Sequence, residues 1–472
     1  MERGTPVENR ITREFLDGTR GKARAVTTSD PAFDRTHAWL GRPVFNRPTF
    51  LEAAETRALD HDLGVFLRVL CSLPERLYGG DPGRMARALG LPAVQAEAAV
   101  RCAVPGPAVP LGRADLLREQ GVFRLVEFNT TSSLGGCEIA EMCRGMLSDT
   151  ALTEFAARHG LGYGDPAAGV MASMEASTPS SGLPIAVVKW PNSPETALEF
   201  GHLKLFVEQL AELGHEAFPC HIGQLRYEGG VLTAAGRRVD RLFRTFQLSR
   251  LTGTPETSEL AAPLLDAVAA GAAHLFAPLP ADLYGIKDCL GLLSDETHRD
   301  ILDPAELDVV DRLLPWTRPL RVGRVTREGR GVDLVAHVLS ERERLVLKPS
   351  AGFAGQGITA GWMVDPAEWE RRVTAALDSP HVVQERVVAD AERFVDDDDP
   401  DVLAPCLLNW GVFHTVHGYS GAFIKGIPYG AQDIRFLGDG SHVGCVFHQI
   451  GDRTGADRAG HPRDGHRAGE RA

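Results

Sequence analysis

Two short motifs carry the most chemistry in this sequence. Arg113-x-Asp115 precedes Glu127-x-Asn129 inside VPLGRADLLREQGVFRLVEFNTTSSLGG. FRLVEFN alternates apolar and polar residues, the period-two pattern of a strand. Side chains two apart on a strand leave the same face, so Glu127 and Asn129 emerge together. Arg113 and Asp115, on a preceding extended segment, do likewise. Two carboxylates, an amide oxygen and a guanidinium on one surface suit a hard cation carrying polyphosphate. Mg²⁺ takes oxygen ligands and shares them with phosphates, and arginine forks onto phosphate oxygens. The same four residues also fit an exposed ladder of cross-strand ion pairs, and on this motif alone both readings stand.

A second cluster lies in LVLKPSAGFAGQGITAGWMV, residues 345–364. A short β-type run ends in Lys348, and Pro349 stops regular pairing. Gly352, Gly355 and Gly357 follow. Glycines let backbone N–H groups turn toward an anion without a Cβ in the way, and a lysine just before such a loop reaches phosphate. A hairpin with a Gly-rich turn is the alternative. Walker A is excluded because Ile358 follows Gly357. The dinucleotide fingerprint is excluded because the segment after the loop reads as strand rather than helix.

Three further elements belong with these. LYGIKDCLGLLSD reads as a helix start with Lys287 in its first turn, where a solvated lysine is the ordinary reading. PHVVQERVV reads as a strand ending in Gln384 and Glu385, shaped to meet an adenine edge through backbone and side-chain hydrogen bonds, or as a plain edge strand. NWGVFHTVHGYSGAFIKGIPYG reads as a hairpin with Gly418 in the turn and Lys425 on the return strand.

The elements that must position these residues form a mixed α/β pattern. Residues 1–30 are polar and are expected to be loose. Alanine and leucine at helical spacing make 1–105 a mainly helical segment. Residues 106–180 hold the metal-binding strand region, and a Pro/Ser/Gly-rich linker spans 176–184. An α/β unit over 184–280 follows, with Gly214 closing its first helix. A nucleotide-binding region covers 283–450, and the tail 451–472, without apolar runs, is expected to be disordered. Residues 396–399 read as a solvated acidic loop.

Composition bounds the partners. The 472 residues are 43% hydrophobic and 24% charged, ordinary for a globular protein. A formal net charge of −13 argues against a general nucleic-acid binder. No apolar run reaches membrane-span length, and the polar start is unlike a signal peptide. Eight cysteines without a Cys-x-x-Cys pair suit reduced thiols in a cytoplasmic protein. His414 and His417 give only a weak metal signal.

In order, Lys287, Lys348-Pro-x-x-Gly-x-x-Gly-x-Gly, the Gln384-Glu385 strand and the closing hairpin resemble an ATP-grasp nucleotide site. The Arg-x-Asp…Glu-x-Asn block lies upstream of it, as in the circularly permuted branch, which holds glutathionylspermidine synthetase-like enzymes and eukaryotic glutathione synthetases. The resemblance covers roughly residues 105–450. It implies an ATP-grasp fold with a nucleotide-fold-like substrate domain and an N-terminal helical segment, and a homodimer as the family-level state.

The resemblance also implies ATP and Mg²⁺ as cofactors, with Asp115, Glu127 and Asn129 on two Mg²⁺ ions and Arg113 on the γ-phosphate. Lys287 and Lys348 would hold α- and β-phosphates, and the 350–357 loop would be a lid. Related lids often carry a carboxylate after Lys-Pro, and Ser350-Ala351-Gly352 has none. Lys425 stands where an arginine often closes the hairpin, and it keeps the charge without the fork. The expected reaction joins a small-molecule carboxylate to an amine through an acyl phosphate, in a setting such as peptide natural-product synthesis. Ser132 and Ser133, after the metal strand, are candidates to hold the acyl substrate or to cap the following helix. A small-molecule kinase and a nucleotide-binding regulatory protein are the alternative functions.

Overall fold

A computed structural model describes the chain except residues 1–6, 19–24, 104–107, 132–134, 180, 192–199, 353–354, 397–398, 400–401, 432–434, 437, 439 and 451–472. The expected substrate residues Ser132 and Ser133 and the expected disordered tail lie outside the described residues.

The fold is mixed α/β, as the sequence pattern predicts. Its centre is a large sheet in the order Thr49–Leu51, His442–Gln449, Gly418–Pro428, Leu403–Thr415, Leu111–Glu119, Val122–Asn129. Ala391–Val395 pairs with Leu403–Thr415, and Leu161–Gly162 with His442–Gln449. Thr49–Leu51 runs parallel to its neighbour, and the other pairings are antiparallel. The N-terminal segment therefore gives the sheet a strand as well as helices to cover it.

Helix Ala53–Cys71 lies on this sheet. Its start is fixed by a capping box in which the Glu55 carboxylate accepts from the Glu52 backbone N–H at 2.7 Å. Leu59, Leu63, Phe66 and Leu70, spaced four, three and four apart, are buried. Each such side chain contributes about 1.5–3 kcal/mol when removed from water.

A second sheet is wholly parallel, in the order His274–Phe276, Arg241–Arg244, Ile185–Lys189, Ala217–His221. The run IAVVK is buried over its first four residues, as expected for a strand covered on both faces. A third sheet, antiparallel, orders Thr317–Pro319, His381–Glu385, Leu345–Pro349 and Thr359–Ala360.

One expectation is corrected. Residues 1–30 are not uniformly loose, because Arg10–Gly18 is a helix with Ile11, Phe15 and Leu16 buried. Asn9 caps it, its side-chain oxygen accepting from the Thr12 N–H at 2.9 Å. Phe15 packs against Phe50 and Phe155 at ring separations of 5.3 and 5.1 Å. Apolar residues at i, i+4 and i+5 anchor a segment whose average composition is polar.

Candidate active site

Leu111–Glu119 and Val122–Asn129 are neighbouring antiparallel strands, and their register sets Asp115 opposite Glu127 and Arg113 opposite Asn129. The four residues read from the motif therefore form one patch. A register irregularity follows directly, between Asp115 and Leu116. On the other side, Gly411 lies opposite Asp115 and Lys425 opposite Asn409.

The charges interlock. Arg113 donates from Nε to Asp115 Oδ1 at 2.9 Å and from a terminal nitrogen to the Gly135 carbonyl at 3.0 Å. Lys425 donates to Asp115 Oδ2 at 2.6 Å. Asn129 Nδ2 stands 3.4 Å from Asp115 Oδ1. Burial alone raises the Asp115 pKa, but Arg113 and Lys425 together outweigh it and hold the carboxyl at about 2. Burial pulls the Lys425 ammonium below the usual lysine range, and Asp115 opposes that shift only in part.

Two more cations arrive from the opposite side. Lys287, just before helix Asp288–Leu293, donates to Glu127 Oε1 at 3.3 Å and to the Gly352 carbonyl at 3.3 Å. Its backbone N–H holds the Ser350 carbonyl at 3.0 Å, tying the helix to the start of the glycine loop. Lys348 donates to the Val126 carbonyl at 3.1 Å and to Gln384 Oε1 at 2.6 Å. Burial, then the neighbouring Lys287 charge, pulls Lys348 down to about 8.

Gly355 and Gly357 both take φ near +73°, a region side chains disfavour. A Cβ on Gly357 would also lie 2.8 Å from Pro349. Residues 353–354, the middle of the expected lid, are outside the described residues.

A cavity of about 800 Å³ opens over this patch. The large sheet supplies Arg113, Asp115, Glu127, Asn129, Asn409 and Lys425, and the small antiparallel sheet supplies Val346, Lys348 and Gln384. Ile358, Trp362, Met363, Leu407 and Ile427 add apolar lining, and residues 385–388 also line it. Arg386 stacks over the Trp362 ring at 4.0 Å. The Gln384 side chain is buried and turned to Lys348 and, at 3.0 Å, to Thr317 Oγ1. It thus orients the Lys348 ammonium. Glu385 pairs with Arg327 at 3.1 Å and Arg344 at 3.4 Å.

Asp115 and Glu127 with the Asn129 amide are an oxygen donor set of the kind one Mg²⁺ shares with substrate phosphates and water. Among the described residues no group of three or more His, Cys, Asp or Glu forms a closed metal site. His414 and His417 do not converge: His414 faces Asp60 at 3.4 Å and His417 the Ala172 carbonyl at 3.4 Å.

Two contributors escaped the sequence reading. Asn409 is 4% exposed, lines the cavity, and its Oδ1 has no hydrogen-bond partner among the described residues. Only its place two residues from Gly411, across the sheet from Lys425, reveals it. Phe423 lies under Arg113 and Lys425, at 5.5 and 5.6 Å. It fits there because a Cβ on Gly411 would stand 2.3 Å from its ring.

No protein-family model and no curated protein sequence matches this chain. The chain is similar to several solved structures. A glutathione synthetase-like effector from Globodera pallida in apo form is 11% identical, with 88% of this chain and 95% of that one covered and a TM-score of 0.49. A putative gamma-glutamylcysteine synthetase from Methylobacillus flagellatus KT is 14% identical, with coverages of 78% and 83% and a TM-score of 0.35. The ATP-grasp ligase PsnB, complexed with a minimal precursor, is 15% identical, with coverages of 53% and 77% and a TM-score of 0.29. These descriptions coincide with the resemblance read from the sequence.

Proposed function

We propose that this chain is an ATP-grasp, ADP-forming ligase that joins a small-molecule carboxylate to an amine through an acyl phosphate. One observation carries the proposal. Arg113, Lys348 and Lys425 line one cavity with Asp115 and Glu127, Arg113 and Lys425 pairing with Asp115, and Lys287 pairs with Glu127 from the start of a helix. The chain as a whole carries a formal charge of −13, so this excess of cations is local. A polyanion accompanied by a divalent cation satisfies both signs of charge at once.

In this reading Lys287 and Lys348 grip the polyphosphate, and the nucleoside lies against residues 385–388 and the apolar lining. Asp115, Glu127 and Asn129 hold Mg²⁺, which when bound neutralises phosphate oxygens. Arg113 faces the transferring group and stabilises the charge that develops there. A substrate carboxylate oxygen attacks the γ-phosphorus, and the bond to ADP breaks. The amine nitrogen then attacks the acyl carbon, the C–O bond to phosphate breaks, and the nitrogen loses its proton. The free carboxylate has no adequate leaving group, so activation must come first. The glycine loop beside Lys348 would exclude water from the acyl phosphate.

The test is ADP release across a panel of carboxylates and amines, followed by ¹⁸O tracing with the carboxylate that supports turnover. The proposal expects ADP, not AMP, and one carboxylate ¹⁸O in the released phosphate. Full ADP release without an amine, with phosphate retained on the acceptor, would instead identify a kinase.

A further inference from the structure

A second cavity, of about 470 Å³, lies against residues 385–388, which also line the first. That volume falls in the range of small-molecule sites. The hairpin of Leu111–Glu119 and Val122–Asn129 supplies Glu119 and Arg124 to it, and Pro315, Glu343 and Arg344 join them. The reaction above uses none of these side chains.

Most charges of this wall already have partners. Arg344 pairs with Glu385 at 3.4 Å, and Glu343 pairs with Arg342. Arg386 lies over the Trp362 ring. Glu119 and Arg124 are left, each fixed by backbone groups rather than by an opposite charge. Glu119 accepts from the Val388 N–H at 2.7 Å. Arg124 donates from one terminal nitrogen to the carbonyls of Arg312 at 2.7 Å and Asp311 at 3.3 Å, at the end of helix Pro304–Leu313. Its Nε is buried without a hydrogen-bond partner among the described residues. A ligand acceptor there would relieve the cost of that buried donor.

The hairpin turn is also held in place. The Asp390 carboxylate accepts from the N–H groups of Gln120 and Gly121 at 2.9 and 2.8 Å, and its own N–H donates to the Arg118 carbonyl at 2.6 Å. These bonds fasten the turn to the segment running on from Val388. The register sets Arg124 opposite Leu117 and Val122 opposite Glu119. Glu119 and Arg124 are therefore diagonal neighbours on one face, about 7–8 Å apart. Two opposite charges so placed, bordered by Pro315, Val387 and Val388, match an ammonium and a carboxylate carried on one carbon beside an apolar side chain.

We infer that this second cavity binds a free α-amino acid with an apolar side chain. The ammonium meets Glu119, the carboxylate meets Arg124, and the side chain lies on Pro315, Val387 and Val388. The inference does not rest on the ligase reading, since no reacting group of that reading takes part.

The test is calorimetry on the full-length protein and its Glu119→Gln and Arg124→Gln variants. The probes are L-leucine, 4-methylpentanoate, which lacks the ammonium, 3-methylbutylamine, which lacks the carboxylate, and glycine, which lacks the side chain. Wild type is expected to bind leucine about tenfold or more tighter than each of the others. Glu119→Gln keeps an acceptor for the Val388 N–H. It should erase the preference over 4-methylpentanoate and keep that over 3-methylbutylamine. Arg124→Gln should do the reverse, and if it fails to fold, Glu119→Gln alone decides. No preference for leucine by wild type would overturn the inference. So would preferences left unchanged by the substitutions, the result expected of leucine held in the first cavity.

Discussion

The Lys425 ammonium stands 2.6 Å from the Asp115 carboxylate, with both side chains nearly excluded from solvent. The pair spans the large sheet from Leu111–Glu119 to Gly418–Pro428, across the strand that carries Gly411. Removing one member strands the other. Asp115→Asn should therefore cost about 3–5 kcal/mol by leaving a buried ammonium without its partner. Asp115→Asn combined with Lys425→Met should recover most of that loss in urea denaturation while nucleotide turnover stays lost.

The pH dependence of stability follows from the same carboxyl. Its folded-state pKa of about 2 lies below the ordinary carboxylate range. The stability it contributes is thus complete at neutral pH and is lost as pH falls from the ordinary range toward 2. Acid titration of wild type should show this loss, and the Asp115→Asn/Lys425→Met protein should show less of it.

Lys348 gives the opposite sign. Burial and Lys287 bring it to about 8, so the folded protein releases a proton near pH 8 that the unfolded chain keeps until higher pH. Its burial costs stability below pH 8, and the cost is relieved as pH rises through 8. Phosphate favours the protonated form, so the KM for ATP should be flat below pH 8 and rise above it. Lys348→Arg, which stays charged, should remove that inflection from the pH profile.

Glu127→Gln tests the oxygen donor set. Glu127 is only half-buried, so the far-UV spectrum should be kept, but the buried Lys287 ammonium loses its carboxylate partner, so the melting temperature should fall. Turnover should fall roughly a hundredfold, with a higher Mg²⁺ requirement. Unchanged Mg²⁺ dependence would remove Glu127 from the metal.

Gly411→Ala tests the support beneath Arg113. The added Cβ would lie 2.3 Å from the Phe423 ring. The ring must shift, at a cost of about 1–3 kcal/mol in stability, and Arg113 above it loses its seat. The expected outcome is a lower kcat with a lower denaturation midpoint.

Much of this site was legible in the sequence because period two is a strong local signal. It placed Glu127 and Asn129 on one face, and the structure sets Arg113 and Asp115 directly across from them. The Lys287 and Lys348 motifs were also local. What escaped depends on packing between distant strands. Asn409 has no motif, and Gly411 looks like any glycine until Phe423 lies against it. The Gln384 side chain turned to Lys348 because Leu345–Pro349 and His381–Glu385 pair with Val346 opposite Gln384, a register no local pattern encodes. The Arg10–Gly18 helix was hidden by polar neighbours, although its three buried apolar residues already had helical spacing.

The most direct test of the account is a crystal structure with Mg²⁺ and a non-hydrolysable ATP analogue. The account predicts phosphate oxygens within hydrogen-bond reach of Lys287 Nζ and Lys348 Nζ, with the metal on Asp115 and Glu127 and the base beside residues 385–388. A nucleotide bound elsewhere, with Glu127 still paired only to Lys287, would contradict it.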